Sequence, residues 1–116
     1  MVNENTASAA EILSGSLQDY GFATLVGTTT YGKGSVQTVH NLQTGAGVRI
    51  TEGKYFLPGG TCIDGVGIEP DIYVEEYEGD IPETDDPLEE LKYLDAQLYE
   101  GILALDQIID MLDKAA

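Results

Sequence analysis

Lys33 stands between two glycines in a chain that has only five Lys and Arg against 21 Asp and Glu. Neither neighbour has a side chain to hold other backbone away, so the sequence predicts a lysine closely surrounded by backbone. A lysine amine that has lost its water releases its proton more readily, and a neutral amine is a general base. The other interpretation is that Gly-Lys-Gly is an ordinary exposed turn.

Ser8 is the candidate nucleophile for that base. It lies where a short strand at residues 2–4 ends and a helix predicted over residues 9–20 begins. The helix dipole favours negative charge there, and the backbone N–H of Ala9 can donate to the oxyanion formed when Ser8 attacks a carbonyl. The same residues fit a capping box, Ser-x-x-Glu, in which Ser8 only caps the helix. Spacing alone leaves both interpretations open.

The remaining patterns predict a mixed α/β chain. Strands are expected at residues 22–26, 36–42, 47–51 and 54–57, with an extended edge segment at residues 68–74. An acidic linker is predicted over residues 76–86. One long amphipathic helix is predicted over residues 87–116, capped by Asp86 with Glu89 completing a capping box. Its apolar stripe consists of Leu88, Leu91, Leu94, Leu98, Ile102, Leu105, Ile109 and Leu112.

The charge distribution excludes two classes of partner. Residues 1–60 hold four acids and three bases, whereas residues 61–116 hold 17 acids and two bases. An acidic half of that size repels phosphate, so nucleic acid and anionic membrane surfaces are not expected partners. No metal or cofactor is predicted. His40 is interpreted as an ordinary strand residue and Cys62, the single cysteine, as an idle thiol.

Several separate blocks, in order, resemble the carboxyl-terminal processing proteases, the tail-specific serine peptidases of the S41 type. The resemblance covers roughly residues 2–75 and is carried by the segments NENTASAAEI, LQDYG, VG, YGKGSVQ and GIEPDI. It implies a fold that is part of a ClpP/crotonase-like protease core, a mixed sheet with helices, spanning residues 1–75. The departures are Tyr31 where Phe is usual, Ala10 where a second serine is common, and residues 60–63 in place of a segment that often carries arginine.

The resemblance also implies a Ser–Lys catalytic dyad. Ser8 matches the nucleophile, and Lys33, 25 residues downstream, matches the general base. Gln37 matches the glutamine that orients the lysine; on a strand, positions 33 and 37 share a face. Asp19 falls at an aspartate found in relatives and is interpreted as structural support.

Family members carry a PDZ domain and an earlier half of the protease domain, neither of which is visible in this sequence. The chain is therefore expected to be a fragment that is inactive alone and forms homo-oligomers through uncovered apolar surface. The full-length enzyme is expected to act on proteins or peptides with apolar C-termini, outside the cytoplasm of a bacterium. The alternative is a non-catalytic binding or assembly module, in which Ser8 is only a helix cap and the long helix drives assembly.

Overall fold

The computed structural model describes residues 1–115, and within them lie three helices and four strands. The mixed α/β class predicted from the sequence is confirmed. The elements, in chain order, are α1 (Ala9–Asp19), β1 (Val26–Gly27), β2 (Ser35–Asn41), β3 (Gly47–Lys54), β4 (Ile72–Tyr73), α2 (Pro87–Leu94) and α3 (Ala96–Ala115).

A small parallel sheet lies next to α1. Strands β1 and β4 pair with Val26 opposite Ile72, and Val2 forms a parallel bridge with Gly27. The backbone of Gly27 has φ 135°, and a Cβ atom there would collide with the carbonyl oxygen of Val2. Only glycine therefore lets the first residues of the chain lie against β1.

The strand predicted over residues 22–26 is wrong in extent, because β1 begins only at Val26. The side chain of Phe22 is 80% exposed, so it contributes nothing to a buried strand. The backbone N–H of Leu25 donates to Asp71 Oδ2 at 2.7 Å rather than to a strand carbonyl. The Asp71 carboxylate therefore takes the place of a strand partner for Leu25, and β1 begins at the next residue.

The buried core is small and lies beneath α1. Gly15 of this helix is buried, and a Cβ atom there would come within 2.6 Å of Leu57 Cδ1, so the helix backbone lies directly on the core. Many large apolar side chains elsewhere remain exposed, among them Met111 at 70%. The core residues are Val2, Leu25, Leu57, Ile63 and Ile68, with Ile12 packed against them.

Strands β2 and β3 form an antiparallel hairpin that is exposed along most of its length. The predictions of strands at residues 36–42 and 47–51 are confirmed with shifted bounds. The pairing runs from Ser35 opposite Lys54 to Asn41 opposite Gly47. The strand predicted over residues 54–57 is reduced to the end of β3 and one bridge between residues 56 and 62.

The single helix predicted over residues 87–116 is divided at Asp95, and Ala116 lies outside the described residues. The backbone of Asp95 has φ −153° and ψ 86°, which is not helical. Its carboxylate accepts the N–H of Leu98 at 2.8 Å and so caps the first turn of α3. The sequence does not reveal the break at Asp95. The apolar residues keep a helical spacing across it, so the stripe looks continuous.

The start of α2 follows the prediction in part. Asp86 Oδ1 accepts the N–H of Leu88 at 2.9 Å, which confirms Asp86 as the cap. Glu89, predicted to complete a capping box, instead accepts the hydroxyl of Thr84 at 2.9 Å. Helix α3 is joined to the sheet by Gln97, a buried side chain whose Nε2 donates to the carbonyl of Val74 at 3.2 Å. Within residues 1–115, no helix is long and apolar enough to cross a membrane.

Candidate active site

Ser8 has a strained backbone. Its φ of 58° and ψ of −120° make it the one residue other than glycine, among residues 1–115, with positive φ. Such a conformation costs on the order of 1–3 kcal/mol, and it persists only where the surroundings hold it. Strain of this kind is concentrated at functional sites, where it presents a side chain in a fixed direction.

The carboxylate of Glu11 holds Ser8 and the lysine loop together. Glu11 is fully buried, with 0% of its surface exposed. Its Oε2 accepts the backbone N–H of Ser8 at 2.8 Å and that of Lys33 at 2.9 Å. Its Oε1 accepts the hydroxyl of Thr30 at 2.6 Å and the N–H of Gly32 at 2.7 Å. One side chain therefore ties both candidate catalytic residues to the same point.

The four hydrogen bonds also decide the charge of Glu11. Burial raises the pKa of this carboxyl, but the hydrogen bonds from Thr30, Gly32, Lys33 and Ser8 lower it, and the net pKa is below the ordinary value of 4.5. Glu11 is therefore ionised at neutral pH. Its contribution to stability is present above about pH 4.5 and is lost as the pH falls through the lower folded-state pKa.

Backbone packs closely against both glycines beside Lys33, as predicted. Gly32 has φ 84°, and a Cβ atom there would lie 2.9 Å from the N of Gly67. A Cβ atom on Gly34 would lie 2.6 Å from the N of Asp64. A further hydrogen bond, from Tyr31 N–H to the carbonyl of Thr6 at 3.0 Å, joins the loop to the segment that precedes the serine.

The Lys33 side chain itself is exposed, so the expected burial of its amine is not found in this chain. The reason is geometric. Residues 63–67 cover the glycines, and the Glu11 carboxylate binds the Lys33 backbone, but nothing in residues 1–115 encloses the side chain. The ion pairs that the structure shows within these residues do not include Lys33, so no carboxylate holds its amine.

Within residues 1–115, the side chain of Gln37 has no hydrogen bond to Lys33. Its Nε2 donates to Thr51 Oγ1 across the hairpin at 3.3 Å. The prediction that positions 33 and 37 share a strand face fails because β2 begins only at Ser35 and has an irregular register between Val36 and Gln37. The regular alternation of side chains is broken at that point.

Two other predicted site residues have clear positions. Asp19 Oδ2 accepts the N–H of Gly59 at 2.6 Å, which gives this aspartate a structural contact at the turn near residues 58–60. The backbone N–H of Ala9 lies in the first turn of α1, and within residues 1–115 it makes no hydrogen bond. Its role as an oxyanion donor stays a prediction.

Sequence reasoning missed the roles of Glu11 and Thr30. Glu11 was recognised only as the fourth residue of Ser-x-x-Glu, and this motif indicates one of its four hydrogen bonds, the one from the Ser8 N–H. Its other partners lie 19–22 residues away in sequence, so no local pattern could reveal them. Among residues 1–115, no group of three or more His, Cys, Asp or Glu could hold a metal ion.

Comparison with known proteins identifies the fold at this site. The model of peptidase family S41 matches residues 1–74. The chain belongs to this family. A carboxy-terminal-processing protease of Bartonella bacilliformis is 49% identical over 76 residues, which are 66% of this chain and 18% of that protein. The carboxyl-terminal-processing peptidase 1, chloroplastic, of Arabidopsis thaliana is 53% identical over 72 residues, or 62% of this chain and 15% of the relative.

The solved structure of a photosystem II D1 C-terminal processing protease supports the same conclusion. It superposes with a TM-score of 0.62 and 42% identity, over 64% of this S41 chain and 19% of its own. The resemblance and the protease-core fold expected from the sequence are thus confirmed, and the relatives are C-terminal processing proteases. The S41 chain spans less than a fifth of the length of these relatives.

Proposed function

We propose that Ser8 and Lys33 form the catalytic dyad of a serine peptidase that cleaves proteins or peptides near an apolar C-terminus. The observation that carries this proposal is the Glu11 carboxylate, which binds the backbone N–H groups of both residues through one oxygen. The strained backbone of Ser8 and the membership in family S41 support it. Processing at a C-terminus rests on the names of the relatives, which are C-terminal processing proteases, and the apolar C-terminus rests on the sequence resemblance.

The chemistry is acyl transfer. The neutral Lys33 amine removes the proton of the Ser8 hydroxyl, and Ser8 Oγ attacks the peptide carbonyl to form a tetrahedral intermediate. The Ala9 N–H donates to the oxyanion. Collapse of the intermediate breaks the C–N bond, and protonated Lys33 gives its proton to the leaving amine. Water then attacks the acyl-enzyme, with Lys33 as base again, and releases Ser8 and the carboxylic acid product.

We assign this activity to a protein that contains these residues and has the full length of the S41 relatives, which is here called a protease of family length. In this chain the Lys33 side chain is exposed and the Gln37 side chain is hydrogen-bonded to Thr51, which supports a lysine that is neither enclosed nor oriented by Gln37. We therefore propose that the 116 residues alone have little or no activity. In the longer enzyme, Lys33 becomes enclosed and Gln37 orients it. A location outside the cytoplasm is part of the same proposal.

The experiment compares the 116-residue chain with a protease of family length that contains it. An unfolded protein substrate with an apolar C-terminus is incubated with each, with and without a serine-directed fluorophosphonate. We expect cleavage by the longer protein only, and its loss after treatment with the reagent. Cleavage that the reagent does not inhibit would contradict a serine mechanism, and Ser8-dependent cleavage by the short chain would contradict its inactivity.

A non-catalytic assembly module is the second candidate, and the exposed apolar surface favours it. The far end of α3 carries Ile108, Ile109, Met111 and Leu112, all more than 40% exposed, and the hairpin exposes Val39 and Ile50. Such surface favours self-association of the chain. We expect static light scattering of the 116-residue chain to give a mass above that of a monomer, decreasing on dilution. A monomer at all concentrations would contradict the predicted homo-oligomer.

A further inference from the structure

A second buried side chain extends the network beneath the candidate dyad. Thr30 is 5% exposed, and its hydroxyl donates to Glu11 Oε1 at 2.6 Å. Thr30 Oγ1 in turn accepts the N–H of Ile68 at 2.8 Å. A hydroxyl has one proton, and the Ile68 N–H is itself a donor, so the Thr30 proton must point at the carboxylate. The direction of this hydrogen bond is therefore fixed by its neighbours.

The backbone around Thr30 holds the hydroxyl in place. The Thr30 N–H donates to the carbonyl of Ile68 at 3.1 Å, so residues 30 and 68 are joined twice. Gly67 lies directly against the Thr30 carbonyl, where a Cβ atom would collide with it. Gly65 N–H donates to the carbonyl of Gly32 at 2.8 Å. The segment of residues 65–68 and the lysine loop thus form one hydrogen-bonded unit.

We propose that Thr30 is a positioning residue of the peptidase, acting through Glu11 on Ser8 and Lys33; this rests on the proposed function. The terminal torsion of a glutamate side chain is soft, so its carboxylate plane is set by hydrogen bonds rather than by a rotamer well. The two oxygens turn together. Removing the Thr30 hydroxyl leaves Oε1 with the Gly32 N–H alone, and any rotation that follows moves Oε2 away from its two partners.

The first test is kinetic and uses a protease of family length. Thr30→Val keeps the shape of the side chain but removes the hydroxyl, whereas Thr30→Ser keeps the hydroxyl. We expect Thr30→Val to lower kcat about 10- to 100-fold with KM close to wild type, since misplacement of catalytic groups has effects of that size. Thr30→Ser should restore most of the loss. Thr28→Val is the matched control, because the Thr28 hydroxyl donates its hydrogen bond to the exposed Glu4 and not to Glu11, and it should leave kcat unchanged.

The second test needs no activity, so it remains decisive if the proposed function fails. In the wild-type 116-residue chain, the amide proton shifts of Ser8 and Lys33 should follow the titration of Glu11. The Ile68 amide, which contacts Thr30 and not Glu11, should titrate with the same midpoint. This measurement also holds if Thr30→Val does not fold. An Ile68 amide shift that does not change with the titration of Glu11 would overturn the proposal. So would a wild-type kcat in Thr30→Val, or a loss of kcat in Thr30→Ser as large as that in Thr30→Val.

Discussion

Lys33→Ala in a protease of family length should lower kcat by about 10²- to 10⁴-fold, the usual contribution of a general base. KM should change little, because the lysine acts on the proton of Ser8 rather than on substrate binding. Ser8→Ala should be more severe, about 10⁶-fold, since removal of a nucleophile leaves only binding and oxyanion stabilisation. The measurement is steady-state cleavage of a peptide with an apolar C-terminus.

The Lys33→Arg variant distinguishes two interpretations of Lys33, a general base and an exposed turn lysine. An arginine keeps the positive charge and suits an exposed Gly-x-Gly turn, but it cannot be deprotonated in a protein. We expect it to be as inactive as Lys33→Ala. Lys92→Ala, which changes an exposed lysine outside the matched residues 1–74, serves as the control and should retain activity. An active Lys33→Arg enzyme would show that the position requires charge and not a base.

Glu11→Gln should reduce the free energy of unfolding by about 3 kcal/mol, the cost of removing a buried charged hydrogen-bond partner. An amide replaces one acceptor oxygen by an NH₂ group. Each carboxylate oxygen of Glu11 faces at least one backbone N–H, from Gly32 on one side and from Ser8 and Lys33 on the other. Either orientation of the amide therefore sets a donor against a donor.

Guanidinium unfolding followed by circular dichroism measures this loss, since the chain has no tryptophan. Glu4→Gln, at an exposed glutamate, is the control and should change the free energy of unfolding by less than about 0.5 kcal/mol. The pH dependence gives an independent check. The pKa of Glu11 is lowered by folding, so wild type should lose its advantage over Glu11→Gln as the pH falls below about 4.5. A difference that stays constant with pH would contradict an ionised Glu11.

The sequence predicted features that depend on neighbouring residues. The Asp86 cap is a local signal, and so are the alternating strands of the hairpin; both were found. The close approach of backbone to Gly32 and Gly34 was one of the two interpretations that the sequence left open, the other being an exposed turn. These features follow from side-chain chemistry over a few residues.

Features set by distant partners were not predictable. The Leu25 N–H, which comes just before β1, is bound by Asp71, 46 positions away, and the main partners of Glu11 lie 19–22 positions away. The prediction that the Gln37 side chain lies on the same face as Lys33 was wrong, because the register of β2 is irregular between Val36 and Gln37 and side chains do not alternate regularly there. Whether the Lys33 side chain is buried depends on which distant residues pack around it, and its neighbours in sequence do not determine that.

The central claim is that Ser8 is a nucleophile activated by Lys33. Its most direct test is to treat a protease of family length with a fluorophosphonate and to locate the adduct by peptide mass spectrometry. We predict a single adduct on Ser8, formed at least 100-fold more slowly in Lys33→Ala because the base is missing. An adduct on another residue, or equal rates of Ser8 labelling with and without Lys33, would contradict the account.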